Sequence, residues 1–355
     1  MKKVCIITLY GNWNYGNKLQ NYALQQVLKN LDCDVISLKN KYQMPLCDKL
    51  RSFYYKLRQV KKYYYMSKRE NSFKDFNKNY MNYTKYSATY TLNKNKANLF
   101  DYFVIGSDQV WNYGDGTISD IMFGLFTNKE KNISYAASFG VSSIPEKYKK
   151  IYIKGLNNIE NISVREKAGA DIVNNITGRE ASVVLDPTIL LEKKDWEKIE
   201  KKPTFNVPKK YLLTYFLGNV SVEKTHELNE FAKKHNLEII NLNNQNYPDY
   251  FKIGPSEFLY LIHNSSIVFT DSFHACVFSF IYNKSFYVYQ RDENVVSMNS
   301  RIENLLSLIK EDERQILSIK TINNEEVFKC NYKKGYDIIK KEKKKSIDFL
   351  IKSLK

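Results

Sequence analysis

Residues 265–291 read SSIVFTDSFHACVFSFIYNKSFYVYQR. An apolar run, Ile267-Val268-Phe269, stops at Thr270-Asp271-Ser272. An apolar stretch of helical length follows, with His274 near its start. A second apolar run, Phe286 to Tyr289, then leads to Arg291. This order predicts strand, helix and parallel strand, since parallel strands need a long crossover between them. Open α/β sheets take ligands at the carboxyl ends of such strands. Asp271 or Ser272 can cap the helix, which puts His274 in its first turn. Free N–H groups and the helix dipole at that end attract phosphate or carboxylate. A histidine there can also move a proton near neutral pH, although a buried or capping histidine would look the same in sequence.

Arg291 should end the strand beside the one that leads to His274. Arginine grips phosphate or carboxylate through two parallel hydrogen bonds and keeps its charge. The alternative is a surface arginine paired with Asp292 or Glu293. Ser272 belongs to the same turn, and Arg301, at the start of a further helix, is another anion-binding candidate.

The same alternation extends in both directions. Lys3–Thr8 reads as a strand and Gly11–Gly16 as a polar loop. Leu19, Tyr22, Ala23, Val27 and Leu28 mark a helix by their spacing, and Val35–Leu38 is the next strand. Further strands are expected at 102–105, 133–137, 162–165 and 183–185. Glu192 to Pro208, with Pro203 and Pro208, reads as a linker. A second α/β half starts at Tyr211. The chain is therefore α/β with two domains, residues 1–200 and 201–335, followed by a lysine-rich helix, 336–355, that should pack back on the first. Residues 41–95 break the pattern, alternating Arg51, Lys56, Arg58, Lys61, Lys62, Lys68 and Arg69 with tyrosines. They predict a helical insertion with a basic, aromatic surface, either solvated or lying on anionic lipid.

Two strand-end loops of the first half carry groups suited to a sugar. In GNWNYGNKLQ (11–20), glycine lets backbone approach a ligand, and Asn14, Gly16, Asn17 and Gln20 are candidate contacts. It is not a GxGxxG fingerprint. In GSDQVWN (106–112), Ser107, Gln109, Trp111 and Asn112 combine a stacking ring with hydrogen-bonding groups, and Asp108 is a candidate base on a sugar hydroxyl. The alternative is a structural turn with a buried tryptophan. Arg165 ends another strand. It either faces the interdomain cleft and binds an anion or pairs with Glu166 or Asp186.

Composition sets the outer limits. The 355 residues suit two domains, and 43% hydrophobic content suits globular ones. No apolar run reaches membrane-spanning length, and the N-terminus reads as a first strand rather than a signal peptide. The five cysteines show no zinc or CxxC spacing and the four histidines no HxxxH pair, so no metal is expected, and a reducing, cytoplasmic setting fits. A net charge of +17 implies anionic partners. The lysines are spread along the chain without a nucleic-acid motif, so nucleic acid is not the expected partner.

Taken together, NYGNKLQNYALQ, GSDQVWN, SYAASFG, SVREK, LDPTILL, TDSFHACVFSFIYNKSF and NSRI resemble the polysaccharide pyruvyl transferase family, from residue 3 to about 308. The resemblance implies two Rossmann-like domains facing a cleft, as in the GT-B glycosyltransferase fold. It implies phosphoenolpyruvate as donor substrate, no cofactor, and a sugar acceptor, free or lipid-linked, that becomes a pyruvate ketal. The product would belong to an exopolysaccharide, capsule or cell wall. His274 matches the family's proposed acid/base, and Arg291 a basic position that is often lysine. The donor then belongs to the second half and the acceptor to the first. Lipid-carried acceptors would suit peripheral contact with the inner face of the plasma membrane. The alternative is a GT-B-type glycosyltransferase using a nucleotide sugar, with Glu257 or Asp271 as the ribose carboxylate.

Overall fold

Among the described residues, all pairing between the strands is parallel and falls into two sheets. The structure is a computed structural model that describes residues 1–40, 60–114, 118–290, 300–323 and 325–355. The first sheet begins with β1 (Lys2–Ile7), α1 (Tyr15–Asn30) and β2 (Cys33–Asn40). It continues through α2 (Val60–Tyr80), β3 (Tyr83–Ala88), β4 (Tyr102–Asp108) and β5 (Asn132–Ala137). It ends with α3 (Glu146–Asn157), β6 (Ser163–Val164), α4 (Lys167–Thr177) and β7 (Ser182–Val183). The second sheet is built from β8 (Tyr211–Tyr215), α5 (Val222–Lys234), β9 (Glu238–Asn241), α6 (Pro255–Asn264) and β10 (Ile267–Thr270). After it come α7 (Phe273–Ile281), β11 (Phe286–Tyr289), α8 (Ser300–Ile309), β12 (Gln315–Ile316) and α9 (Lys333–Ser353).

Strand order decides where a ligand can enter. The first sheet runs β3-β2-β1-β4-β5-β6-β7 and reverses direction between β1 and β4. The second runs β12-β11-β10-β8-β9 and reverses between β8 and β10. At such a reversal the flanking crossovers go to opposite faces and leave a crevice beyond the carboxyl ends. The central strands are apolar on both faces, as helix-covered parallel sheets require, and every residue of β8 and β10 is buried.

The expected insertion is only partly helical. Residues 83–88 form β3, which pairs with β2 and extends the sheet. Its tyrosines and Thr84 suit a pleated surface better than a helix, and only Thr84 and Ala88 are buried. Residues 41–59, the rest of the basic stretch, lie outside the described residues. Arg69, expected on a basic surface, is buried and donates to the carbonyls of Leu242, Phe251 and Trp13 at 3.2, 3.0 and 2.9 Å.

α9 touches both halves. The Lys2 ammonium donates to the carbonyl of Leu354, and Ser346 Oγ accepts from the Leu185 N–H at 3.0 Å. At its other end Tyr336 donates to the Phe280 carbonyl at 2.8 Å. One apolar core runs through both halves, from Val4 and Leu24 to Leu213 and Phe278. No helix of the described residues is long and apolar enough to cross a membrane.

Candidate active site

The loops at the two sheet reversals face each other across one cavity of about 520 Å³. From the first half come Tyr10, Trp13, Asn14 and Asn17 after β1, and Asp108 and Gln109 at the end of β4. From the second come Leu217 after β8 and Ser272, Phe273 and His274 after β10, with Arg301 from α8. Neither sheet alone makes this site.

His274 occupies the first turn of α7, as its spacing from β10 implies. Ser272 is the N-cap by position but makes no side-chain cap hydrogen bond. Asp271 is not the cap. Its carboxylate accepts the backbone N–H groups of Leu217 and Gly218 at 2.7 and 2.8 Å, tying the β8 loop to the β10 loop. The His274 ring is 6% exposed. One side rests on Gly16 of α1, where a β-carbon would collide with Nδ1. On the other, Nε2 lies 3.7 Å from Asp186 Oδ2.

Behind His274 is a buried ionic cluster. Arg165 Nη1 donates to Asp186 Oδ2 at 2.9 Å, and the guanidinium also lies 3.6 Å from Asp108 Oδ1 and 3.7 Å from Glu166 Oε2. Asp186 Oδ2 further accepts from Ser107 at 3.2 Å. Its Oδ1 accepts from the Thr188 N–H and hydroxyl at 3.0 and 2.6 Å. Burial alone would raise the Asp186 pKa, but His274, Arg165 and Thr188 overcome it and hold the carboxyl well below the usual range. Asp108 is lowered in the same sense: burial opposes its charge, while Arg165, His274 and Arg301 favour it. Burial works against the Arg165 charge too, but Asp186, Asp108 and Glu166 raise its pKa.

Several expected contacts are placed elsewhere. Arg165 does not line the cavity; 4% exposed and covered by the Phe273 ring at 4.6 Å, it takes the carboxylate-pairing alternative. Trp111 is a core residue rather than a stacking face. It is fully buried, packs on Phe123 and Phe139, and its indole N–H donates to the Met122 carbonyl at 2.9 Å. Asn112 turns back to accept the Gly114 N–H at 2.7 Å. Gln20 is buried and donates to Thr8 at 3.0 Å, and Ser107 reaches the site only through Asp186. In each case the side chain is drawn to a partner inside the fold and away from the cavity, although Gln20 Oε1 and the Nε and Nη2 of Arg165 stay buried without a hydrogen bond among the described residues. Asn14, Asn17, Asp108, Gln109, Ser272, His274 and Arg301 do line the cavity. Asn14 caps α1 through the Asn17 N–H at 3.2 Å, and Asn17 donates to Asp108 at 3.4 Å. β10 and β11 are paired neighbours as expected, but Arg291 lies outside the described residues.

Sequence reading missed the aromatic end of the cavity. Trp13 and Tyr90 line it while 41% and 55% exposed. Trp13 lies in the polar 11–16 loop with nothing in the sequence to single it out, and Tyr90 follows β3, a strand that tyrosine-rich sequence hides. Asp186 is visible in the sequence as a possible partner of Arg165 and within LDPTILL, with nothing to link it to His274.

Comparison with known proteins fits this geometry. The family model of polysaccharide pyruvyl transferase matches residues 14–293, most of the chain. The chain belongs to the polysaccharide pyruvyl transferase family. As a member it is a transferase acting on polysaccharides. No match was found among curated proteins. The chain is similar in structure to a Listeria monocytogenes protein assigned as a UDP-N-acetylglucosamine 2-epimerase. The TM-score is 0.52 at 10% identity, over 98% of this chain and 90% of that one. It is also similar to the UDP-GlcNAc 2-epimerase of Methanocaldococcus jannaschii, with TM-score 0.49 at 12% identity over 95% and 92% of the two chains. The first likeness, with the two parallel sheets, identifies the GT-B fold.

Proposed function

We propose that this pyruvyl transferase moves the enolpyruvyl group of phosphoenolpyruvate to a sugar of a cell-surface polysaccharide or its precursor, forming a pyruvate ketal. The observation that carries the reading is His274 in the first turn of α7, at the wall of a cavity that both halves build. The donor brings a phosphate and a carboxylate. The α7 N-terminus, the Ser272 hydroxyl and the Arg301 guanidinium supply the anion-binding end of the cavity. Trp13 and Tyr90 offer ring faces, and Asn14 and Gln109 offer amides, to the apolar faces and hydroxyls of a sugar.

In this scheme His274 protonates the methylene carbon of the donor, which makes the central carbon electrophilic. A sugar hydroxyl adds there and phosphate leaves. A second hydroxyl of the same sugar closes the ketal. Of the two hydroxyl protons, one ends in the new methyl group and the other with phosphate, so the chemistry needs no oxidant. Asp108 stays a carboxylate near neutral pH and is placed to orient a hydroxyl rather than to act as a strong base. Cations fixed before the reaction stabilise the developing charge without reorganising.

Two observations count against a nucleotide-sugar glycosyltransferase. Of the carboxylates that could bind a ribose, Asp271 is committed to the β8 loop. Glu257 accepts the Gly254 N–H at 3.1 Å and pairs with Lys201. Neither lines the cavity.

Thermal unfolding with phosphoenolpyruvate or UDP-N-acetylglucosamine tests the donor, because a ligand that binds only the folded state raises the midpoint. A rise with phosphoenolpyruvate, and release of one phosphate per acid-labile pyruvate fixed on polysaccharide, is the expected result. A rise with the nucleotide sugar alone would overturn the reading.

A further inference from the structure

We propose that Asp186 is the positioning residue of His274: it takes the Nε2 side of the ring and leaves Nδ1, beside Gly16, as the nitrogen that exchanges the proton. This rests on the reading of His274 as proton carrier. Asp186 follows the last strand of the first sheet and His274 opens a helix of the second, so the pair forms only where the two halves meet.

The geometry separates the two nitrogens. Nε2 is buried without a hydrogen-bond partner and faces Asp186 Oδ2 at 3.7 Å, a contact that needs less than an ångström of closure. Catalytic hydrogen bonds are often long before ligand binds and tighten in the complex. Nδ1 faces α1 at Gly16, next to Asn17, which lines the cavity. A carboxylate held on Nε2–H makes Nδ1 the proton-exchanging site and stabilises the imidazolium once it forms.

Asp186 is itself immobilised. Arg165, Ser107 and both donors of Thr188 fix its two oxygens. Phe273 lines the cavity while Arg165 and Asp186 do not, and its ring lies on the Arg165 guanidinium and edge-on to His274 at 5.1 Å. Water is thereby kept from the pair. The remaining charges on this side are Asp108 and Glu166, both close to Arg165, and Arg301 acting on Asp108. Arg165 is therefore an anchor for Asp186 rather than a clamp on the donor.

The decisive measurement is the nitrogen NMR of the full chain with labelled histidine, assigned by His274→Gln, at a pH where the ring is neutral. Wild type is expected to show the Nε2–H tautomer, and Asp186→Asn a mixture. In turnover with phosphoenolpyruvate, Asp186→Asn should lower kcat on the order of 100-fold, as loss of acid–base catalysis does, with KM for the donor little changed. Ser107→Ala, which removes a single bond to Asp186, should give a smaller fall of the same kind. An Nδ1–H tautomer in wild type would overturn the proposal. So would unchanged kcat with raised KM in both variants. If wild type transfers no pyruvyl group, the functional reading fails, while the tautomer still decides the role of Asp186.

Discussion

At the scale of single residues, His274 is defined as much by what presses on it as by its own chemistry. Gly16 is the plainest case. It sits in the first turn of α1 with ordinary helical geometry, so its value is the missing side chain and not a special φ. Alanine in a helix gains up to about 1 kcal/mol over glycine. The new β-carbon would overlap the buried His274 ring, however, and overpacking costs about 1–3 kcal/mol. Gly16→Ala should therefore lower the thermal midpoint. Pushing the imidazole off its position should also lower kcat at least about tenfold, since small misplacements cost that much. Melting and turnover measured on one preparation check this. A level midpoint with unchanged kcat would mean that the ring is not held against Gly16.

At the scale of elements, α2 ties the first sheet to the second half through one cation. Arg69 spends its guanidinium on three backbone carbonyls and lies 4.5 Å above the Tyr15 ring. One acceptor is Trp13, which lines the cavity. Ser72 of the same helix donates to the Lys252 carbonyl at 2.8 Å. Removing the guanidinium leaves those carbonyls unsatisfied, at about 1–3 kcal/mol for each buried group. Arg69→Ala is expected to lower stability by about 3 kcal/mol and to raise KM for the acceptor more than for phosphoenolpyruvate. Arg69→Lys should recover little, because a lysine cannot copy the planar fork. Urea unfolding and the two KM values test both parts.

At the scale of the whole molecule, the halves are not independent beads. Tyr15 of α1 stacks on Phe258 of α6 at 4.5 Å and on Phe73 of α2 at 5.3 Å, within a core that continues from one sheet to the other. α9 is fastened to both halves. Such continuity predicts one cooperative thermal transition, with calorimetric and van't Hoff enthalpies equal. Two resolved transitions would show that the interdomain contacts carry less than the cores.

The alternation of strand and helix, both halves, and the positions of His274, Asp108, Asn14 and Asn17 at strand ends were determined by the sequence alone. Those features follow from local periodicity and from turn residues, which act over a few neighbours. Strand β3 was lost because tyrosine- and lysine-rich stretches carry no clear period. Only the tertiary structure decided that Trp111 and Gln20 are interior residues and that Trp13 and Tyr90 face the cavity. It also decided that Arg165 serves Asp186. The physical reason is the same throughout. A side chain's role depends on which partner reaches it first, and those partners lie tens to hundreds of residues away. Asp186 and His274 meet only because two sheets place their reversals opposite each other.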